Sequence, residues 1–172
     1  MTRSGGAARS SVHCQPRARH DKMKKILLID SGVVPMLERN CAGGIVFYGD
    51  EVLLLQNEKA DWCFPKGVIR TVEKPEDVAL ERVSFEAGVK AKILFPVGRT
   101  NYEFYSITRQ RPVCNKIVWY VMKAENNSVT PNPEQNFSDG GFYPLEKALE
   151  MVTYSQDRSL LMMAYQRYKE LV

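Results

Sequence analysis

The sequence predicts an α/β sandwich built on a mixed sheet, and three observations carry that expectation. Two aliphatic runs, Cys41 to Tyr48 (CAGGIVFY) and Glu51 to Gln56 (EVLLLQ), flank Gly49-Asp50, which is the pattern of a β-hairpin. A Lys66-Gly67 turn leads into an amphipathic stretch, expected to be helical over about 75–88. Two long strand-like runs follow, and the chain ends in an amphipathic helix expected over about 157–171.

Taken in order, residues 1–24 form a basic extension rich in Arg, Ser and Gly, with almost nothing to bury, so disorder is the expectation. Met23 is a plausible natural start, and a transit peptide is disfavoured because apolar periodicity is missing. One folded domain is expected over 25–172, a length adequate for an independent core. Lys25 to Asp30 (KILLID) reads as an added first strand. Gly43-Gly44 inside the hairpin marks a bulge or a close backbone approach. Trp62 and Phe64 are spaced to share one side of an extended segment ending at the Pro65–Gly67 turn. Pro75 suits the first helical turn, Glu76 and Asp77 suit its positive dipole end, and Gly88 suits a left-handed stop. Ala79, Val83 and Ala87 mark the buried stripe. Residues 92–107 and 113–122 read as long strands, the second apolar enough to be central. Residues 125–141 read as a long loop, 142–143 as a brief extended piece, and 145–151 as a short helix.

The net charge of +4 is uneven. Residues 1–25 carry seven Lys/Arg against Asp21 alone, while the remainder has 17 basic and 19 acidic residues. The folded part therefore gives no nucleic-acid footprint. No apolar run is long enough to span a bilayer, so no membrane partner is expected. Cys14, Cys41, Cys63 and Cys114 show neither metal-ligand nor disulfide-framework spacing, which points to a reducing, cytoplasmic setting.

The stretch Phe64 to Val89, FPKGVIRTVEKPEDVALERVSFEAGV, resembles the Nudix box, G-x5-E-x7-R-E-U-x-E-E-x-G-U with U aliphatic. Gly67, Glu73, Val83, Glu86, Gly88 and Val89 match in one ungapped register. Glu81-Arg82 stands in place of Arg-Glu, and Phe85 in place of the first Glu of the pair. The resemblance implies a Nudix-type α/β/α sandwich from about Asn40 to Leu171. Within the family, WCFPKG and the segment GFYPLEKALEMVTYSQDRSLLMMA look most like the dinucleoside polyphosphate and diphosphoinositol polyphosphate hydrolases.

The family hydrolyses a diphosphate joined to another group, using water and divalent metal, usually magnesium. Metal neutralises phosphoryl oxygens and positions the water, and a helix supplies its carboxylates at i, i+3 and i+4, which share one face. Here those positions hold Arg82, Phe85 and Glu86, so one carboxylate remains. Arg82 and Glu86, four residues apart, are expected to pair, neutralising the surviving ligand. Glu81 points roughly 140° from Glu86 at about 100° per residue, so it cannot replace the lost acid. Glu86 and Glu73 are thus the implied catalytic and metal residues of a weak or absent magnesium site, with Glu134 or Asp139 a possible third acid. Lys66, Gly67, Arg70, Arg82 and Lys116 are the implied substrate-binding residues, each also readable as ordinary turn, surface or strand-end chemistry. Phe85 reads as packing or a lid, while Tyr102, Phe104 and Tyr105 read either as strand pairs or as a base-stacking surface.

Three functions follow as expectations. The first is recognition of a small diphosphate or nucleotide ligand with hydrolysis weakened or lost. The second is an active pyrophosphohydrolase with a reorganised metal site, and the third is a non-catalytic interaction or regulatory module.

Overall fold

The computed structural model describes residues 26–29 and 32–172. The expected basic extension and the start at Met23 lie outside the described residues. The KILLID run forms strand β1 (Ile26–Ile29), which pairs antiparallel with β2 (Gly32–Pro35) as a separate two-stranded sheet.

The main sheet is built on β3 (Leu37–Tyr48) and β4 (Glu51–Asn57), joined by the expected turn at Gly49, where φ is +58°. The short strands β5 (Trp62–Cys63) and β6 (Lys66–Val68) follow, then helix α1 (Pro75–Ala87). Two long strands, β7 (Ala91–Ser106) and β8 (Arg111–Ala124), precede β9 (Phe137–Pro144), α2 (Leu145–Met151) and α3 (Ser155–Leu171). The order across the sheet is β5-β4-β3-β8-β7, with β6 added to β3 and β9 to β4. The sheet is mixed because β3 and β8 run parallel, from Leu37 beside Val113 to Phe47 beside Lys123, while the other pairings are antiparallel. Burial on both faces explains why 41–47 reads as a continuous apolar run rather than an alternating one.

Side chains divide between two cores. Cys41, Ile45, Phe47, Ile117, Trp119 and Val121 face α2 and α3, whereas Ala42, Val46, Tyr120 and Met122 face α1. The two-residue period of the strands sends neighbours to opposite faces, giving the α/β/α sandwich that the sequence predicts. Helix α1 begins with Pro75 and ends at Gly88 with φ +65°, both as expected.

Two expectations need correction. The segment read as a loop through 141 contains most of β9, which pairs along β4 from Phe137 opposite Asn57 to Pro144 opposite Glu51. Its Asn, Ser and Gly content hid a strand whose stability comes from its neighbour. A Cβ at Gly140 would lie 2.6 Å from the Leu55 side chain, so the glycine permits that close pairing. Helix α3 also starts two residues earlier than expected, at Ser155.

Candidate functional site

The Lys66-Gly67 turn is held against the sheet by close backbone packing. Gly44 N–H donates to the Pro65 carbonyl at 3.1 Å, and a Cβ at Gly43 would lie 2.4 Å from the Trp119 ring and 2.7 Å from that carbonyl. Gly43-Gly44 is therefore the close-approach site that the sequence suggested, and any side chain at Gly43 would push the turn away.

The turn in turn meets α1. Lys66 N–H donates to Glu86 Oε2 at 3.3 Å, and Glu86 is only 6% exposed. Burial pushes its carboxyl up to about 7, against the opposing pull of the Lys66 ammonium, the Arg82 guanidinium and the Lys66 N–H. A Cβ on Gly67 would lie 2.3 Å from Arg82 Nε, so the bare turn provides the niche in which that side chain lies. Arg82 Nη1 donates to Gln135 Oε1 at 3.4 Å, and the guanidinium sits 5.9 Å from the centre of the Phe85 ring.

The expected Arg82–Glu86 ion pair does not form. Ion pairs that do form include Lys116–Glu38 and Lys169–Asp50. Helical spacing placed the two side chains on one face, but Glu86 turns into the core while Arg82 lies over Gly67. Phe85 is 49% exposed, with Arg82 over it, rather than packed in the core.

Gln135 reaches Arg82 because the loop before it closes the end of α1. Thr130 N–H donates to the Ala87 carbonyl at 2.8 Å, Asn132 N–H to Glu86 at 2.9 Å, and Asn132 Nδ2 to Phe85 at 3.0 Å. These bonds satisfy carbonyls that a helix end leaves without partners.

A cavity of about 430 Å³ opens beside the turn. Lys66, Cys63 and Gln135 line it on the box side, Thr100, Tyr102, Phe104, Ile117 and Trp119 on the sheet, and Tyr154, Gln156 and Asp157 at the start of α3. Mutual bonds between Trp62 and Thr153 tie β5 to the entry of α3: Trp62 N–H to Thr153 Oγ1 at 2.9 Å, and Thr153 N–H to the Trp62 carbonyl at 3.2 Å. This brings Asp61 against Tyr154, whose hydroxyl donates to Asp61 Oδ2 at 3.0 Å. Burial also pushes the Asp157 carboxyl up, with Lys66 pulling the other way. Cys63 is a poor nucleophile, since burial pushes its thiol up to about 11.

The other sequence-predicted residues lie apart. Glu73 Oε2 accepts from Arg70 N–H at 2.8 Å, closing the exposed turn before α1. Glu73 and Lys116 line a second cavity of about 670 Å³ beside the start of α1, and Lys116 pairs with Glu38 at 2.9 Å. Asp139 Oδ1 accepts from Gly140 N–H at 2.7 Å, and Glu134 sits in a single 3-10 turn at Pro133–Gln135. Among the described residues no three His, Cys, Asp or Glu side chains gather as a metal-holding group. Magnesium prefers hard oxygen donors with little competing positive charge. The box offers one buried carboxylate, engaged by an N–H and set near two cations, so the residues present do not fit that ion.

Sequence reasoning missed Asp61, Gln135, Tyr154 and Asp157, which come together only through folding. Tyr102 and Phe104 do line the cavity, whereas Tyr105, the alternate residue on the strand, is 48% exposed.

This sandwich, with a Gly-bearing turn packed on a Pro-opened helix, defines a Nudix-type domain. The NUDIX domain family model matches residues 38–163, and the chain belongs to that family. It is 25% identical over 99 residues to a Mycobacterium tuberculosis protein bearing the MutT4 name, covering 58% of this chain but only 39% of that protein's length. Among solved structures, an Ap4A hydrolase of C. elegans aligns with TM-score 0.57 at 18% identity, covering 78% of this chain and 99% of that one. The MutT protein of Methanosarcina mazei aligns with TM-score 0.60 at 18% identity, covering 78% and 97%. Identities this low speak to the fold.

Proposed function

We propose that this chain binds a small diphosphate-containing ligand of the nucleoside diphosphate-X or dinucleoside polyphosphate type, with magnesium-dependent hydrolysis weak or lost. The observation that carries this proposal is Glu86. It is the one carboxylate left among the three helical box positions, it is buried, and Lys66 N–H donates to it. A carboxylate so placed is a structural partner of the turn, and with Arg82 and Phe85 at the other two box positions it stands alone as a ligand where magnesium takes several oxygens.

Lys66 is the first phosphate contact, because it lines the cavity beside the turn. Arg82 acts with it, since Gln135 links the guanidinium to the same cavity wall. Gly67 keeps the turn bare, while exposed Arg70 and Lys116 at the second cavity are outer candidates. Any residual cation would draw weakly on Glu86, because Glu73 is engaged by the Arg70 N–H at the turn before α1 and would have to leave it to join. A cytoplasmic location fits the buried, reduced thiols of Cys41 and Cys63. No helix among the described residues is long and apolar enough to cross a membrane.

Family membership favours a second reading, an active pyrophosphohydrolase. Magnesium titration with dinucleoside polyphosphates, nucleoside diphosphate sugars and diphosphoinositol phosphates separates the two. Ligand-induced thermal shift without turnover supports the binding function. Metal-dependent turnover abolished by Glu86→Gln overturns it, and absence of any shift across the panel points to an interaction module.

A further inference from the structure

The cavity beside the box turn has a wall whose hydrogen-bonding polarity is determined by its own internal bonds. Tyr154 has one hydroxyl proton and commits it to Asp61 Oδ2 at 3.0 Å. Tyr102 and Tyr154 hydroxyls are 3.1 Å apart. With the Tyr154 proton already used, Tyr102 must be the donor of that bond. All the protons of the chain Tyr102 to Tyr154 to Asp61 therefore point one way, and what remains on these oxygens is lone pairs. The three residues line the cavity. This three-residue face accepts hydrogen bonds and has no free hydroxyl proton to give, while the cavity's donors, among them Lys59, Lys66, Thr100 and Gln135, are other residues.

The rings supply a second constraint. Tyr102 and Phe104 stack with centres 5.5 Å apart, and Tyr154 meets Tyr102 edge-on at 5.3 Å. Flat aromatic faces beside acceptor oxygens suit a planar heterocycle carrying N–H groups. Charge gives a third. The cavity is lined by two cations, Lys59 and Lys66, beside Glu58, Asp61 and Asp157, enough to meet one diphosphate but too few for a ring phosphorylated at every position, such as a diphosphoinositol polyphosphate.

We propose that Tyr102, Tyr154 and Asp61 select ligands whose ring bears an exocyclic amino group, as in adenine or cytosine, over the matching keto rings of hypoxanthine or uracil. This rests on the diphosphate-binding function above. The amino group donates to the wall, with Lys66 left for the phosphates. A keto oxygen at the same position meets lone pairs, and the ring N–H beside it, which adenine and cytosine lack, is offset by one ring position from the acceptors. The keto rings therefore leave the acceptors unmatched, which is the arrangement that gives strong discrimination.

The test is calorimetric titration of the full chain, with chelator present, using adenosine against inosine diphosphate and cytidine against uridine diphosphate. The amino member of each pair should bind about tenfold tighter or better. Tyr154→Phe keeps the ring and frees the Tyr102 proton, so it should bring the ratio within about threefold, chiefly by improving the keto ligand. Tyr102→Phe removes one acceptor and should reduce the ratio by weakening the amino ligand. Thermal unfolding of each variant checks that it is folded, and either variant alone suffices. Equal binding of both members by wild type, or a ratio unmoved in a folded variant, overturns the selectivity while leaving diphosphate binding intact. Absence of binding by all four nucleotides removes both proposals.

Discussion

Replacing Glu86 by Gln removes a charge from the α1 face of the turn while keeping an oxygen to accept the Lys66 N–H. Two opposing effects decide the outcome. Burial at 6% exposure disfavours the charged carboxylate, whereas Lys66 and Arg82 favour it. Burial is the larger effect and pushes the carboxyl from 4.5 up to about 7. At about 1.4 kcal/mol per pH unit, that rise is worth on the order of 3 kcal/mol.

The sign follows from proton linkage. Between about 4.5 and 7 the folded chain holds a proton that the unfolded chain has released. Stability therefore falls as pH rises through that window and stays lower above it. Glu86→Gln should leave stability nearly unchanged below the window and raise it above, by up to on the order of 3 kcal/mol. Urea unfolding of both proteins with chelator present, across about pH 4 to 8.5, measures this directly. A variant less stable than wild type at the upper end would refute the reasoning, because the cations would then outweigh burial.

Other substitutions test the surrounding structure. Gly43→Ala places a methyl against Trp119 and the Pro65 carbonyl and should lower unfolding stability by about 2 kcal/mol or more, read by urea midpoint. Asp157→Asn should stabilise the chain at neutral pH and flatten the decline that begins above about 3.8, because burial raises that carboxyl too; thermal melts against pH check it. The combined change Glu81→Arg, Arg82→Glu and Phe85→Glu restores the box carboxylates. It should confer magnesium-dependent cleavage of a dinucleoside polyphosphate into two nucleotides, read by chromatography, and no gain would show that the cavity has diverged as well.

Much of the fold is local and therefore legible in sequence. Pro75 and Gly88 bound α1 by their backbone preferences, and Gly49 marks the hairpin. Strand β9 was hidden because its residues are weak strand formers that gain order from β4, a contact about 85 positions away in sequence. The site divides in the same way. Lys66, Gly67, Arg82 and Glu86 stood out because the box spaces them. The Tyr102–Tyr154–Asp61 chain did not, since its partners are separated by 52 and 93 positions. Arg82–Glu86 misled because the four-residue rule describes a solvated helix surface, whereas Glu86 is buried and Gly67 offers Arg82 another place.

The central claim is that this Nudix box supports ligand binding without a competent metal site. Spin-resonance titration of the intact protein with manganese, a paramagnetic stand-in for magnesium, tests it most directly, with Glu86→Gln alongside. The free-ion signal should rise linearly and alike for both proteins through the sub-millimolar range. Stoichiometric loss of that signal with wild type, abolished in the variant, would contradict it.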